Sequence, residues 1–158
     1  MKSLLITGEK VVAPLRRFST CILSPLYDLA ARLYLAYAFG VSGLGRLESY
    51  RNGSWDDQVF LFTEEHPVPF VSGEIAAPLT TGAELLLPFL LIIGLFNRFA
   101  AAGLFVMALT IELTYLSNFQ HWLWMALAAS IFVKGGGALS LDTLLLSWIK
   151  PNTNHIKP

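Results

Sequence analysis

Five ionisable residues stand where the surrounding sequence is almost wholly apolar: Arg32, Arg46, Glu84, Glu112 and His121. A charge at the centre of a bilayer costs about 2.5–3.5 kcal/mol on insertion scales, so such groups turn inward and take partners. At a rise of about 1.5 Å per residue, Glu84 lies roughly 12 Å and Glu112 roughly 6 Å from one shared end of their apolar stretches. Arg46 and His121 fall near that same level, so these four side chains can converge. Arg32 enters from the opposite end, roughly 9 Å deep, and is long enough to reach toward Glu84. Two chemistries follow. In the first, Arg32–Glu84 and Arg46–Glu112 are ion pairs that join helices, although desolvation consumes most of the Coulomb gain of a buried pair. In the second, the group lines a polar pocket that binds a small ligand or relays protons. There an arginine would fix an anionic group or a ketone oxygen, and Glu84 would carry protons.

The elements that must position these residues are four apolar blocks: Leu26–Leu47, Ala76–Phe96, Phe99–Leu116 and the shorter Phe119–Val133. The 158-residue chain is 54% hydrophobic and 14% charged, with mean hydropathy +0.57. A soluble domain carries about 25% charged residues. A bilayer crossing takes about 20 mostly apolar residues. The expected fold is therefore all-α: a membrane-spanning four-helix bundle with short interfacial helices. Residues 1–25 form an N-terminal cytoplasmic or interfacial segment, 26–134 the membrane domain with an outward loop at 48–75, and 135–158 an interfacial helix and tail. Lys2, Lys10, Arg16, Arg17, Arg98, Lys134, Lys150 and Lys157 fall on one side, against Arg46 and Arg51 on the other. The positive-inside rule then puts both termini in the cytoplasm of a cell-membrane protein. The polar site faces outward.

Local signals fill in the rest. Ser54 with Asp57 approximates a capping box, and Trp55, Val59 and Phe62 share one face of a short helix expected on the outer membrane surface. Pro67 and Pro69 end it. Gly135–Gly137 break the last block, Ser140 can cap a further helix, and Asp142 suits the positive end of that helix dipole. Leu141, Leu144, Leu145, Trp148 and Ile149 would lie on the cytoplasmic interface, with Pro151 after them. Pro88 removes the amide that would bond the Glu84 carbonyl, kinking the helix and freeing that carbonyl. Ala36 and Gly40 allow close helix approach. Trp122 and Trp124 read as an interfacial aromatic belt.

Several classes are excluded. Net charge is zero and no basic run occurs, which argues against nucleic acid. The single Cys21 precludes an internal disulfide or a cysteine-based metal or redox centre. His66, His121 and His155 do not supply two intramembrane haem ligands. Asp56, Asp57, Glu64, Glu65 and His66 read as a solvated acidic loop, so no metal site is expected. Phosphate-cradling loops, Ser-His-Asp arrangements and HExxH are absent.

Four stretches in order resemble the DoxX family of small four-helix membrane proteins. They are LAARLYLAYAFGVSGLGRL (29–47), VFLFTEEHPVPFVSGEIAAPLTTGAELLLPFLLIIGLFNRFAA (59–101), HWLWMALAAS (121–130) and GGGALSLDTLL (135–145). The most specific phrase is AA-x-L-x-x-x-x-E-L-x-x-P-x-LL-x-x-GL-x-x-R. The resemblance implies a bacterial or archaeal plasma-membrane protein. Some relatives are subunits of a thiosulfate:quinone oxidoreductase, and others look like partners in redox or metal-stress complexes. It marks Arg46, where the family more often has Lys, and Glu84 as a shared site. Besides the lipid bilayer, a protein partner or a homo-oligomer is expected. Quinone is the cofactor or ligand to consider, since the chain has no redox centre of its own. The implied function is the membrane subunit of a quinone-linked redox system, binding quinone or a small sulfur or oxyanion species. The alternative is a non-enzymatic membrane partner or scaffold in a metal- or oxidative-stress response.

Overall fold

The computed structural model describes residues 12–65, 67–115 and 117–149. Lys2, Lys10, Lys150 and Lys157, together with His66, Leu116, Pro151 and His155, lie outside the described residues. Every element among the described residues is helical. Helix α1 (Ser24–Arg51) carries Pro25 in its first turn, where the missing amide is harmless. Residues 12–18 and a π-helical turn, Ser19–Leu23, run into it without a break. The helix therefore extends beyond both ends of the apolar block. α2 (Trp55–Phe60) continues as a π-turn, Leu61–Glu65. Then come α3 (Gly73–Ile93), α4 (Asn97–Thr114), α5 (Phe119–Lys134) and α6 (Leu141–Ile149). Among the described helices, α3 is the one long and apolar enough to cross a membrane by length and composition alone.

Each long helix buries one narrow stripe. On α1 it is Ala31, Arg32, Leu35, Ala36, Phe39 and Gly43, at the three- and four-residue spacing of a single helical face. Leu87 and Leu91 face it from α3, Ala100, Leu104 and Ala108 from α4, and Met125, Ala128 and Ile131 from α5. The opposite faces are apolar as well: Leu33, Tyr37 and Val41 on α1, Leu79, Leu86 and Phe89 on α3, Val106 and Leu113 on α4 are all exposed. Helices that are hydrophobic all round belong in a large core or a bilayer.

The closest packing joins α1 to α3 and α4 to α5. Gly43 sets the first of these contacts. A Cβ there would stand 2.9 Å from the Glu84 Cβ and 3.1 Å from the Glu84 carbonyl oxygen. That carbonyl is the one Pro88 leaves without its helical donor, so the freed oxygen faces α1 backbone. The Ala36–Gly40 pair has a looser role, with Gly40 in ordinary contact with Pro88.

Two local expectations are corrected. Ser54 stands at the start of α2 but caps nothing; its hydroxyl donates to the Ser49 carbonyl at 3.3 Å. The Trp55–Val59–Phe62 face packs on Ala76 and Ala77 at the start of α3, with Phe62 buried. The bundle offers that face an apolar surface within a few residues of chain, so it folds onto protein. Asp142 stands in the first turn of α6, as expected, and has a further role. Its carboxylate accepts from the amides of Phe96 and Asn97, each at 2.9 Å, and from Asn97 Nδ2 at 2.8 Å. It thus also caps the start of α4, because the α3–α4 turn (Gly94 φ 76°, Phe96 φ 51°) presents those amides beside it. Ser140 does cap α6, accepting from the Thr143 amide at 3.3 Å.

Replacing Gly43 by alanine forces α1 away from Glu84, and overpacking of this kind costs about 1–3 kcal/mol. Gly43→Ala should lower the thermal midpoint in mild detergent. Gly45→Ala, which meets nothing within 4 Å, should leave it unchanged.

Candidate functional site

Arg46 and Glu84 form the centre of the site. Arg46 projects from the last third of α1 and Glu84 from the middle of α3, just where Gly43 brings the two helices together. Arg46 Nη1 lies 3.3 Å from Glu84 Oε2, with side chains 17% and 3% exposed. Ser42 donates to Glu84 Oε1 at 3.2 Å. The Arg46 guanidinium sits 4.7 Å over the Phe62 ring, a geometry that adds cation–π attraction where water is scarce. Phe62 therefore ties the 54–72 segment to the ion pair as well as to Ala76 and Ala77.

A second polar pair faces the first. His121 Nδ1 lies 2.9 Å from Glu112 Oε2. Glu112 also accepts from the Ser117 hydroxyl and, at 3.2 Å, from the Asn118 amide. The carboxylate is thus held by the turn that starts α5. A carboxylate at Nδ1 fixes the imidazole tautomer and leaves Nε2 as the nitrogen available to a ligand. Trp124, one turn after His121 on α5, packs its ring 5.4 Å from the imidazole and 5.0 Å from Phe39. Its Nε1 is buried and has no hydrogen-bond partner.

Arg46, Glu84 and His121 line one cavity of about 480 Å³, with Glu112 behind the imidazole. Its remaining walls are mostly apolar, with Leu79 and Ala83 from α3, Val106 and Ile111 from α4, and Phe62 and Val68 from the segment after α2. Thr110 and Thr114 also reach it, but their hydroxyls donate to the carbonyls of Val106 and Thr110, at 2.9 and 2.8 Å.

Arg46, Glu84, Glu112 and His121 come together in one region, but in pairs other than Arg32–Glu84 and Arg46–Glu112. Glu84 takes Arg46 because Gly43 closes α1 against α3 one turn before Arg46. Glu112 takes His121 because the short α4–α5 turn folds back over it. Arg32 does not join them. Its Nη2 donates to the Leu139 carbonyl at 2.6 Å and its Nη1 to the Leu91 carbonyl at 3.4 Å. It is 1% exposed and holds the far end of the bundle, where the glycine-rich segment after α5 brings a free carbonyl within reach. Trp124 is a cavity wall and not a belt residue, while Trp122 is exposed. Sequence reasoning missed Ser42, Phe62 and Trp124 as site residues. Helical spacing carried a signal for two of them: Ser42 is four residues before Arg46, and Trp124 three after His121, each on the same face as its neighbour. Among the described residues, no group of three His, Cys, Asp or Glu side chains is placed to hold a metal ion.

The DoxX family model matches residues 27–117, a span that holds α1 through α4 with Arg46, Glu84 and Glu112. An uncharacterized protein of Haemophilus influenzae is 27% identical over 140 residues, covering 77% of this chain and 89% of the relative. No solved structure matches the chain.

Removing one partner of a buried ion pair strands the other, at about 3–5 kcal/mol. The partial exposure of Arg46 places this pair at the lower end. Arg46→Met and Glu84→Leu should each depress the thermal midpoint markedly, and the double variant should recover most of the loss. A double variant as unstable as the sum of the two would mean that the charges do not interact.

Proposed function

The chain belongs to the DoxX family, and from that premise we propose that it is a multi-pass cell-membrane protein acting as the membrane subunit of a quinone-linked redox system. In this reading α1, α3, α4 and α5 cross the bilayer, and both termini are cytoplasmic. The apolar outer faces of these helices support the crossing. Arg98 and Lys134 at one end, against Asp56, Asp57, Glu64 and Glu65 at the other, support the orientation. The cavity then lies in the outward half.

The observation that carries the function is that cavity: apolar walls, one buried indole donor without a partner, and a histidine held by a carboxylate. A quinone ring fits this set of residues. Phe62, Leu79, Val106 and Ile111 offer an apolar enclosure, and Trp124 and His121 stand where a ring carbonyl could accept. A quinone held there would supply a two-electron, two-proton couple, with electrons brought by a partner protein. The chain's own part is proton handling and orientation. His121 presents Nε2 while Glu112 holds Nδ1. The Arg46–Glu84 pair keeps the neighbouring wall rigid and electrically neutral.

One observation favours a second reading. Arg46 and Glu84 are partners across α1 and α3, so the pair also serves as a helix clamp. A membrane partner or scaffold in a metal- or oxidative-stress response would need nothing more.

Two experiments test these readings. In right-side-out membrane vesicles, an impermeant maleimide should label Asp56→Cys on a Cys21→Ser background and reach native Cys21 only after the vesicles are opened. The reverse pattern would invert the topology. Organic extracts of the protein purified in mild detergent should contain stoichiometric quinone, lost in Glu84→Gln. An empty wild-type protein that brings down another protein would instead establish the scaffold.

A further inference from the structure

The cavity has a side opening. α3 and α4 leave the Gly94 turn in contact: a Cβ on Gly103 would stand 2.6 Å from Leu87 Cδ1. Farther from the turn, Leu79 on α3 and Val106 on α4 line the cavity and are also 66% and 59% exposed. Residues that face both the cavity and the outside mark its mouth, which therefore lies between the two helices. The surface around it is apolar, with Ile75 and Leu86 on α3 and Leu109 and Leu113 on α4 exposed. The end of the bundle is roofed instead, since Phe62 is 5% exposed and sits on Arg46 and Ala76.

The polar chemistry inside is selective too. Arg46 and Glu84 neutralise one another, and His121 is backed by the Glu112 carboxylate. No net positive charge faces the cavity, so it is a poor site for a sulfur oxyanion or any other free anion. The hydroxyls of Thr110 and Thr114 donate to their own helix. Two cavity residues carry a buried donor atom without a hydrogen bond: Arg46 Nη1, which is held 3.3 Å from Glu84 Oε2, and Trp124 Nε1, which has no charge beside it and as an indole nitrogen donates only.

We propose that this cavity takes a neutral lipophilic molecule with a hydrogen-bond-accepting oxygen, admitted sideways from the bilayer between α3 and α4, with Trp124 donating to that oxygen. This rests on the reading of α3 and α4 as membrane-embedded, but it does not require that the molecule be a quinone.

The test uses the full chain in nanodiscs with Trp55, Trp122 and Trp148 replaced by phenylalanine, leaving Trp124 as the sole tryptophan. Phosphatidylcholine with brominated acyl chains should quench Trp124 strongly and aqueous acrylamide weakly. Val106→Phe, which narrows the mouth, should restore most of the emission lost to the brominated lipid. Acrylamide quenching as strong as that by lipid would put the mouth in water and overturn the proposal. So would no quenching by either probe, or a Val106→Phe chain quenched like its parent. A separate measurement avoids the tryptophan replacements. Thr110→Cys on a Cys21→Ser background should react with a bilayer-soluble maleimide and resist a charged one; the opposite selectivity overturns the proposal. Decylubiquinone added to the same nanodiscs separates the two readings. Brominated-lipid quenching with no response to decylubiquinone would keep the side entry and remove quinone as the occupant.

Discussion

The contact between Arg46 and Glu84 organises the end of the bundle that holds the cavity. A carboxylate in the middle of an apolar helix must be paired, and the pair forms only where α1 and α3 come within touching distance. Gly43 provides that distance by presenting bare backbone to the Glu84 carbonyl, which Pro88 has left without a donor. The guanidinium then gives Phe62 a place to rest, and with Phe62 the apolar face of Trp55 and Val59 packs onto the start of α3. Each step depends on the one before. Without the glycine the charges stand apart, and without the charges the roof loses its seat.

The two ends of the bundle solve the problem of buried polarity in opposite ways. At the end bearing the α3–α4 turn, Arg32 and Asp142 are closed into a lattice of backbone contacts. Arg32 bonds carbonyls from two other segments, and Asp142 caps α4. At the other end, Arg46–Glu84 and His121–Glu112 are satisfied pairwise across a gap. α3 and α4 are pinned together near Leu87 and Gly103 and part beyond that point, so the gap stays open. Close packing at one end and separation at the other make a site in a chain with few chemically active residues.

That site has a particular electrostatic character. Opposite charges cancel on its polar wall, the Thr110 and Thr114 hydroxyls are turned to their own helix, and the Trp124 indole donor has no partner. Such a wall orients a neutral acceptor more readily than it holds an anion, because an anion would meet Glu84 while the Arg46 charge is already paired with it. The apolar surroundings supply most of the contact area, as in ligand pockets generally.

The sequence by itself determined the helices and identified the charges. Apolar blocks longer than a soluble helix needs, glycine and proline at the breaks, and ionisable residues inside those blocks are local properties, legible one segment at a time. The quoted motifs also sufficed to identify the family. Only the tertiary structure decided which charge meets which. Depth along a helix axis placed Arg46, Glu84, Glu112 and His121 at one level, but pairing depends on rotation about each axis and on how closely two backbones approach. Those are set by Gly43, by the α4–α5 turn and by carbonyls exposed in distant loops. For the same reason Arg32 left the site for the Leu139 carbonyl, Asp142 capped a neighbouring helix, and Trp124 became a cavity wall. A side chain takes the partner that packing brings to it, and a one-dimensional pattern carries no record of that approach.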